Sequence, residues 1–291
     1  MSSSSPQSSQ VQGASAAAIQ AHYDVGNAFY KLWLDPSMTY SCALWDGPDD
    51  DRDLAAAQQN KIAWHLKSAG VARAKRVMDI GCGWGATLNA CTALPNVEHG
   101  VGLTLSEAQA EAVRAHNNPK LEVRLESWAD HKPTAPYDSI ISIGAFEHFT
   151  KPEDDAAAKI AIYRNFFGKC RQWIDPKGSM SLQTISYGRA LRDNSKALLI
   201  DIFPDSDLPR LEEIVIAADG LFEVVMVRND RLDYGRTCEI WANNLRAKRA
   251  EAIALVGKEQ TQRYERYLKA SAFGFITGKL GLLRLTLRPI P

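Results

Sequence analysis

The chain has 291 residues, 45% hydrophobic and 23% charged, with 34 basic and 34 acidic side chains that cancel. That length and composition suit a globular protein with one sizeable core. A formal net charge of zero excludes the global positive field expected of a nucleic-acid or anionic-membrane binder.

In chain order, MSSSSPQSSQVQGASAAA lacks a basic leader and an apolar run, so residues 1–15 read as a disordered Ser-rich tail rather than a signal peptide. From 16 onward a single domain is expected. Ala14 to Ala28 has helical character, which AFYKLWL continues; DPSMTYSCALWDGPDDD is a loop, and LAAAQQNKIAWHLKSAG an amphipathic helix ending at Gly70. Short apolar runs then alternate with helical segments. RVMDIG, HGVGL, LEVRLES, YDSIISIG and GSMSLQTIS read as strands, and so do EVVMVRND and TCEIWANN. AKRAEAIALVGKEQTQRYERYLKASAFGF reads as a helix, and KLGLLRLTL as an edge strand. The alternation predicts an α/β fold, a doubly wound and mostly parallel sheet. Residues of about 16–70 and a largely helical insert at about 187–219 are expected to form a helical cap.

Thirteen Lys/Arg against six Asp/Glu between 228 and 291 read as a solvated basic face. Five cysteines, odd in number and without CxxC spacing, exclude a disulfide framework or zinc site and fit a reducing cytoplasm. No apolar run approaches the roughly 20 residues that span a bilayer.

VMDIGCGWGATL runs a strand into closely spaced glycines and then a helix. Such glycines let the backbone turn sharply and come close to a ligand. Read from Gly81, the third glycine (Gly85) falls one position early for a dinucleotide fingerprint, and VGLTLSEAQ ends the second strand without an acid. Thr104, Ser106 and Gln109 offer neutral hydrogen bonds instead, and no Lys-Ser/Thr follows to make a P-loop. The pattern fits S-adenosylmethionine, with Asp79, Gly81, Gly83 and Gly85 forming the loop. Tyr40, Trp84 and Trp128 are aromatic candidates for its sulfonium.

With these motifs together, HYDVGNAFYKLWLDPSMTYSCALW, DIGCGWG, VGLTLSEAQ, SIGAFEHF, DYGRTCEIWANNL and RYERYLKAS resemble the cyclopropane-fatty-acid-synthase and mycolic-acid methyltransferase family across nearly the whole chain. The resemblance implies a class I methyltransferase (Rossmann-like) fold under a helical cap and methyl transfer from S-adenosylmethionine to an alkene carbon. Carried over position by position, it places Tyr40 and Ser41 at the cofactor's amino-acid end. Thr104 and Gln109 fall at its ribose and adenosine, Trp128 on the adenine and Ile143 nearby. It also implies a bicarbonate ion beside the reactive methyl, held by Cys42, Glu147 and Tyr234. Gln183 stands where cyclopropane-forming members often have a histidine, and Ala129 where relatives tend to have an acid.

An alkene attacked by a sulfonium methyl becomes a carbocation, which needs a dry anion and a base. Glu147, at the end of a core strand, suits both tasks; as bland alternatives it caps a helix or pairs with an arginine. Tyr234, Cys42 and Gln183 complete the expected catalytic set. Tyr23, Phe146, His148 and Phe203 are candidates for the alkene pocket, with core packing as their alternative and His148 read as more structural than catalytic. Because Gln183 replaces the histidine, the expected activity is C-methylation of an isoprenoid or lipid-like metabolite. Cyclopropanation of unsaturated acyl chains is the alternative, and a non-catalytic cofactor-binding scaffold the alternative from another class. A heteroatom methyltransferase is a third option; it usually needs a polar base or metal aimed at the heteroatom, and the sequence shows no metal cluster. The expected partner is a hydrophobic small molecule, with neither nucleic acid nor integral membrane association, and an N-terminal helix free to exchange between subunits leaves homo-oligomers open.

Overall fold

A computed structural model describes residues 26–189 and 206–291. The tail at 1–15, Tyr23, Phe203 and much of the expected insert lie outside the described residues. α1 (Asn27–Tyr30) is a single turn, so AFYKLWL does not continue as a regular helix. α2 (Leu54–Ser68) begins where the Asp53 carboxylate accepts the Ala56 N–H at 2.8 Å, and it closes into Gly70 at φ 69°. The alternating core follows as β1 (Arg76–Ile80), α3 (Ala86–Thr92), β2 (His99–Thr104), α4 (Glu107–Arg114), β3 (Leu121–Leu125) and β4 (Tyr137–Ile143). A 3-10 turn over Phe146–His148 leads to α5 (Ala156–Trp173), β5 (Ile174–Tyr187), α6 (Leu211–Ala218) and β6 (Phe222–Asn229). α7 (Arg231–Ala247), α8 (Arg249–Ile276) and β7 (Leu280–Pro289) complete the described chain.

The seven strands run in the order β3-β2-β1-β4-β5-β7-β6. β1 to β5 pair in parallel, and β7 is antiparallel to both β5 and β6. The sheet is the α/β, mostly parallel arrangement expected, with two corrections. KLGLLRLTL is not an edge: β7 lies between β5 and β6, which is why its side chains are buried on both faces. The edge at this end of the sheet is β6, with a largely exposed pattern, and β3 is the opposite edge.

TCEIWANN is not a strand either. It lies inside α7, where Tyr234, Thr237, Cys238, Trp241, Ala242 and Leu245 are buried at spacings of three and four. An eight-residue window opened at Thr237 is too short to show that period. α7 packs along α8 and joins the N-terminal segment in one aromatic cluster. Phe29, Tyr30, Trp33, Trp241 and Tyr264 meet there; the Trp33 and Trp241 rings are 5.7 Å apart, and the Tyr30 and Tyr264 hydroxyls bond at 3.0 Å. Such aromatic pairs add to burial through edge-to-face geometry.

On one sheet face α5 presents Tyr163, Phe166 and Phe167, and Phe146 stacks on Tyr163 at 4.2 Å. α5 also anchors the described end of the expected insert. The buried Lys159 ammonium reaches Asp207 at 2.9 Å, Glu213 at 3.0 Å and the Leu208 carbonyl at 2.5 Å. Among the described residues, no helix is long and apolar enough to cross a membrane.

Candidate active site

The carboxyl ends of β1, β2 and β4 open onto a cavity of about 470 Å³. This is where an open α/β sheet collects ligands. Asp79 is the fourth residue of β1, and Gly81 leaves that strand at φ 79°. A Cβ on Gly81 would lie 2.6 Å from the Ala145 Cβ, so both the turn and the approach of the β4 loop require glycine. We expect Gly81→Ala to weaken cofactor binding by about 5-fold to 150-fold, since strain of about 1–3 kcal/mol falls directly on the loop. Calorimetric titration with S-adenosylhomocysteine checks this. Gly83 is on the cavity wall. Gly85 is not; its missing Cβ would meet a Val113 methyl at 2.9 Å, and it opens α3 with φ 88°. Gly85 thus shapes the turn into α3 and its packing, away from the cavity wall.

At the tip of β2 the Thr104 hydroxyl donates to Gln109 Oε1 at 2.7 Å and accepts the Ser106 N–H at 3.1 Å. The bond fixes the Gln109 amide with its N–H groups left over, and both side chains line the cavity. Trp128 lines it too, backed by Phe149 and Phe166 with ring centroids 5.1 and 5.3 Å away, and Ile143 stands nearby. Tyr40 and Ser41 enter from the loop before α2. All of these were expected. Glu126, Asp130 and Lys61 also line the wall and were not.

A second cavity of about 50 Å³ shares Tyr40, Ser41, Gly144 and His148 with the first and adds Glu147, Gln183 and Tyr234. Glu147 is 5% exposed. Its Oε2 accepts the Thr184 hydroxyl at 3.0 Å and its Oε1 the Ile185 N–H at 3.2 Å, so β5 holds both oxygens. Burial outweighs these bonds and pushes the carboxyl up to about 7. His148 is pushed down to about 4 by burial and bonds the Ser206 hydroxyl at 2.7 Å, so near neutral pH it is an uncharged, weakly basic imidazole. Burial raises the Tyr234 phenol well above its usual range, so it stays a hydrogen-bonding hydroxyl. Its ring stacks on Phe275 at 4.4 Å.

Besides Gly85, two expected site residues stand away from both walls. Phe146, fully buried beneath the turn, packs against α5, because its position in the 3-10 turn aims it under the sheet while the next residue faces the cavity. Cys42 is fully buried with its thiol 3.0 Å from the Ala43 carbonyl, and burial pushes it up to about 12. It lines neither cavity; its neighbour Ser41 lines both.

Behind Gln183 is a network that escaped sequence reading. Gln183 Oε1 accepts from Arg284 Nε at 2.8 Å and lies 3.2 Å from His65 Nε2. His65 Nδ1 is 2.8 Å from the Ser181 hydroxyl. Arg284 is fully buried, pairs with Asp230, and reaches the carbonyls of Cys42 and Ala43 at 3.2 and 3.0 Å. Two signals were available: a lone arginine inside KLGLLRLTL, and Gln58, Lys61 and His65 at helical spacing along α2.

The wall tests the expected ligand. Asp79 Oδ1 is buried with no hydrogen-bond partner among the described residues, and burial pushes this carboxyl up to about 7. An ammonium donor there would satisfy it. Aromatic faces and neutral donors line the rest, which suits an adenosine carrying a sulfonium and an amino-acid end.

Residues 10–285 match the profile of mycolic acid cyclopropane synthetase. The chain belongs to that family. It is 35% identical over 271 residues to cyclopropane mycolic acid synthase 2 of Mycobacterium bovis, covering 87% of each chain. Among solved structures, the cyclopropane synthase MmaA2 from Mycobacterium tuberculosis aligns at TM-score 0.84 and 31% identity, over 96% of this chain and 99% of that one. The mycolic acid cyclopropane synthase CmaA1 complexed with S-adenosylhomocysteine and CTAB gives the same TM-score at 32% identity and the same coverage. As a mycolic acid cyclopropane synthetase family member, the chain has the class I methyltransferase fold, and its cofactor is S-adenosylmethionine. It is an enzyme of the S-adenosylmethionine-dependent transferase type.

Proposed function

We propose that this enzyme adds a methylene to a carbon–carbon double bond of an unsaturated acyl chain, closing a cyclopropane. The observation that carries the reading is Glu147. A buried carboxyl poised near 7 sits on a small cavity that shares four residues with the cofactor cavity. Bound S-adenosylmethionine supplies an electrophilic methyl. As the alkene carbon bonds that methyl, the carbon–sulfur bond breaks and positive charge develops on the other alkene carbon. Glu147, ionised and dry, stabilises that charge and then takes a proton from the new methyl; the freed C–H pair closes the ring. The gain is one CH2, with one proton passing to solvent through Glu147. Relatives named as cyclopropane synthases, one of them held with a long-chain ammonium surfactant, support an apolar chain as substrate.

Gln183 favours a second reading, methylation without ring closure. Its oxygen is occupied by Arg284 and His65, so the amide has only N–H to offer the cavity and cannot accept a proton. This is the C-methylation expected from the sequence, and the relatives' names support it less than ring closure. Incubation with cofactor carrying a CD3 group and an oleoyl lipid separates the two. A product with a CD2 ring carbon and high-field ring protons in NMR supports cyclopropanation. Retention of CD3 with a shifted vinyl signal supports methylation. No addition to oleoyl lipid but addition to a prenyl chain would move the substrate back to isoprenoids.

A further inference from the structure

Lys61 is fully buried, lines the larger cavity, and carries its ammonium 3.0 Å from the hydroxyl of another lining residue, Ser41. Taking an ammonium out of water costs several kcal/mol unless partners replace the lost hydration. Lys61 Nζ donates to the Ser41 hydroxyl at 3.0 Å, its one hydrogen-bond partner among the described residues, which leaves two N–H donors over. Asp79 faces the same cavity with an unpartnered oxygen, and no ion pair joins it to Lys61. One wall thus carries an unsatisfied anion and an under-bonded cation, the complement of a zwitterion bearing ammonium and carboxylate on one carbon.

We propose that Lys61 binds the carboxylate of the cofactor's amino-acid end, opposite an ammonium held by Asp79. The assignment rests on S-adenosylmethionine being the cofactor and adds the residue that reads its carboxylate. Ser41 then has a definite task, holding the ammonium of Lys61 at the cavity wall.

The charges around Lys61 make binding pH-linked. Burial first, and then Arg284 from β7, push its ammonium down to about 7; the Cys42 thiol, Asp35 and Asp79 oppose that shift. Asp79 is pushed up to about 7 by burial, against the pull of Lys61. Arrival of a zwitterion charges both. Above pH 7 Asp79 is already ionised, and Lys61 takes up a proton; below pH 7 Lys61 is already charged, and Asp79 releases one.

The test compares S-adenosylhomocysteine with its decarboxylated analogue, which keeps the amine and lacks only the carboxylate. Wild type is expected to bind S-adenosylhomocysteine at least about tenfold more tightly than the analogue, and Lys61→Met to lose that preference while binding the analogue nearly as wild type does. Calorimetry at pH 8 in two buffers of different ionisation enthalpy reads the proton directly. Wild type should take up more protons with S-adenosylhomocysteine than with the analogue, a measurement that stands even if the variant does not fold. Equal affinity and equal uptake for the two ligands in wild type overturn the role of Lys61. So does an equal loss of both ligands in Lys61→Met. Failure of wild type to bind S-adenosylhomocysteine at all would instead overturn the cofactor assignment.

Discussion

Glu147→Gln is expected to lower kcat by about 100-fold to 10,000-fold, the range over which a positioned proton acceptor accelerates a reaction. The amide keeps the shape and one acceptor but can neither take the proton nor carry the charge that stabilises the cation. Affinity for S-adenosylhomocysteine should stay within about twofold, because Glu147 lines the smaller cavity and not the larger one proposed for the cofactor. Rapid-quench turnover and calorimetry separate these readouts. Turnover near wild type would remove Glu147 from the chemistry. The pH profile gives an independent check: the working form is the carboxylate, so kcat should rise as pH passes upward through about 7 and fall below it. The stability sign is opposite. A folded carboxyl raised from 4.5 to about 7 binds its proton more tightly than the unfolded one, so stability from this group is lost as pH rises through that window.

The largest effect on stability is expected at Arg284. Its guanidinium is fully buried and bonds Gln183, Asp230 and the carbonyls of Cys42 and Ala43. Arg284→Met leaves these acceptors buried with fewer donors, a loss of about 3–5 kcal/mol, as for other broken buried pairs. Arg284→Lys should recover little, since one ammonium cannot span acceptors lying on three sides of a planar fork. Urea denaturation at pH 7 measures both variants, and a loss below about 1 kcal/mol in Arg284→Met would mean that the network relaxes or takes in water. Asp230 retains Arg228 at 2.9 Å, which keeps the loss from being larger.

The cofactor half of the site was legible because its chemistry is local. A strand, three glycines and a helix lie within a dozen residues, and Thr104 and Gln109 follow the next strand. Glu147 was legible as a carboxylate in apolar company. The supporting shell was not, since Lys61, His65 and Arg284 come from elements separated by more than 200 residues and meet only once β7 is placed. Phe146 and Glu147 show the same limit at short range: neighbours in sequence, they point to opposite sides of a 3-10 turn. Misreading α7 as a strand and β7 as an edge has one cause. Both depend on what covers each face, and a run of apolar residues does not state that.

The place of β7 also bears on the order in which the molecule assembles. β1 to β4 are neighbours in sequence and space, and they carry the glycine loop. β5 pairs with β4 on one side, but its other partner begins at Leu280, across α6, β6, α7 and α8. Closing so long a loop is slow, because chain entropy is lost before the pairing repays it. We therefore expect the glycine loop to form early, and Gln183, Thr184 and Ile185 to acquire their fixed geometry late, when β7 docks and brings Arg284 with it. Pulse-labelled hydrogen exchange should find amides of β1 and β4 protected before those of β5 and β7, with cofactor affinity arising ahead of turnover during refolding.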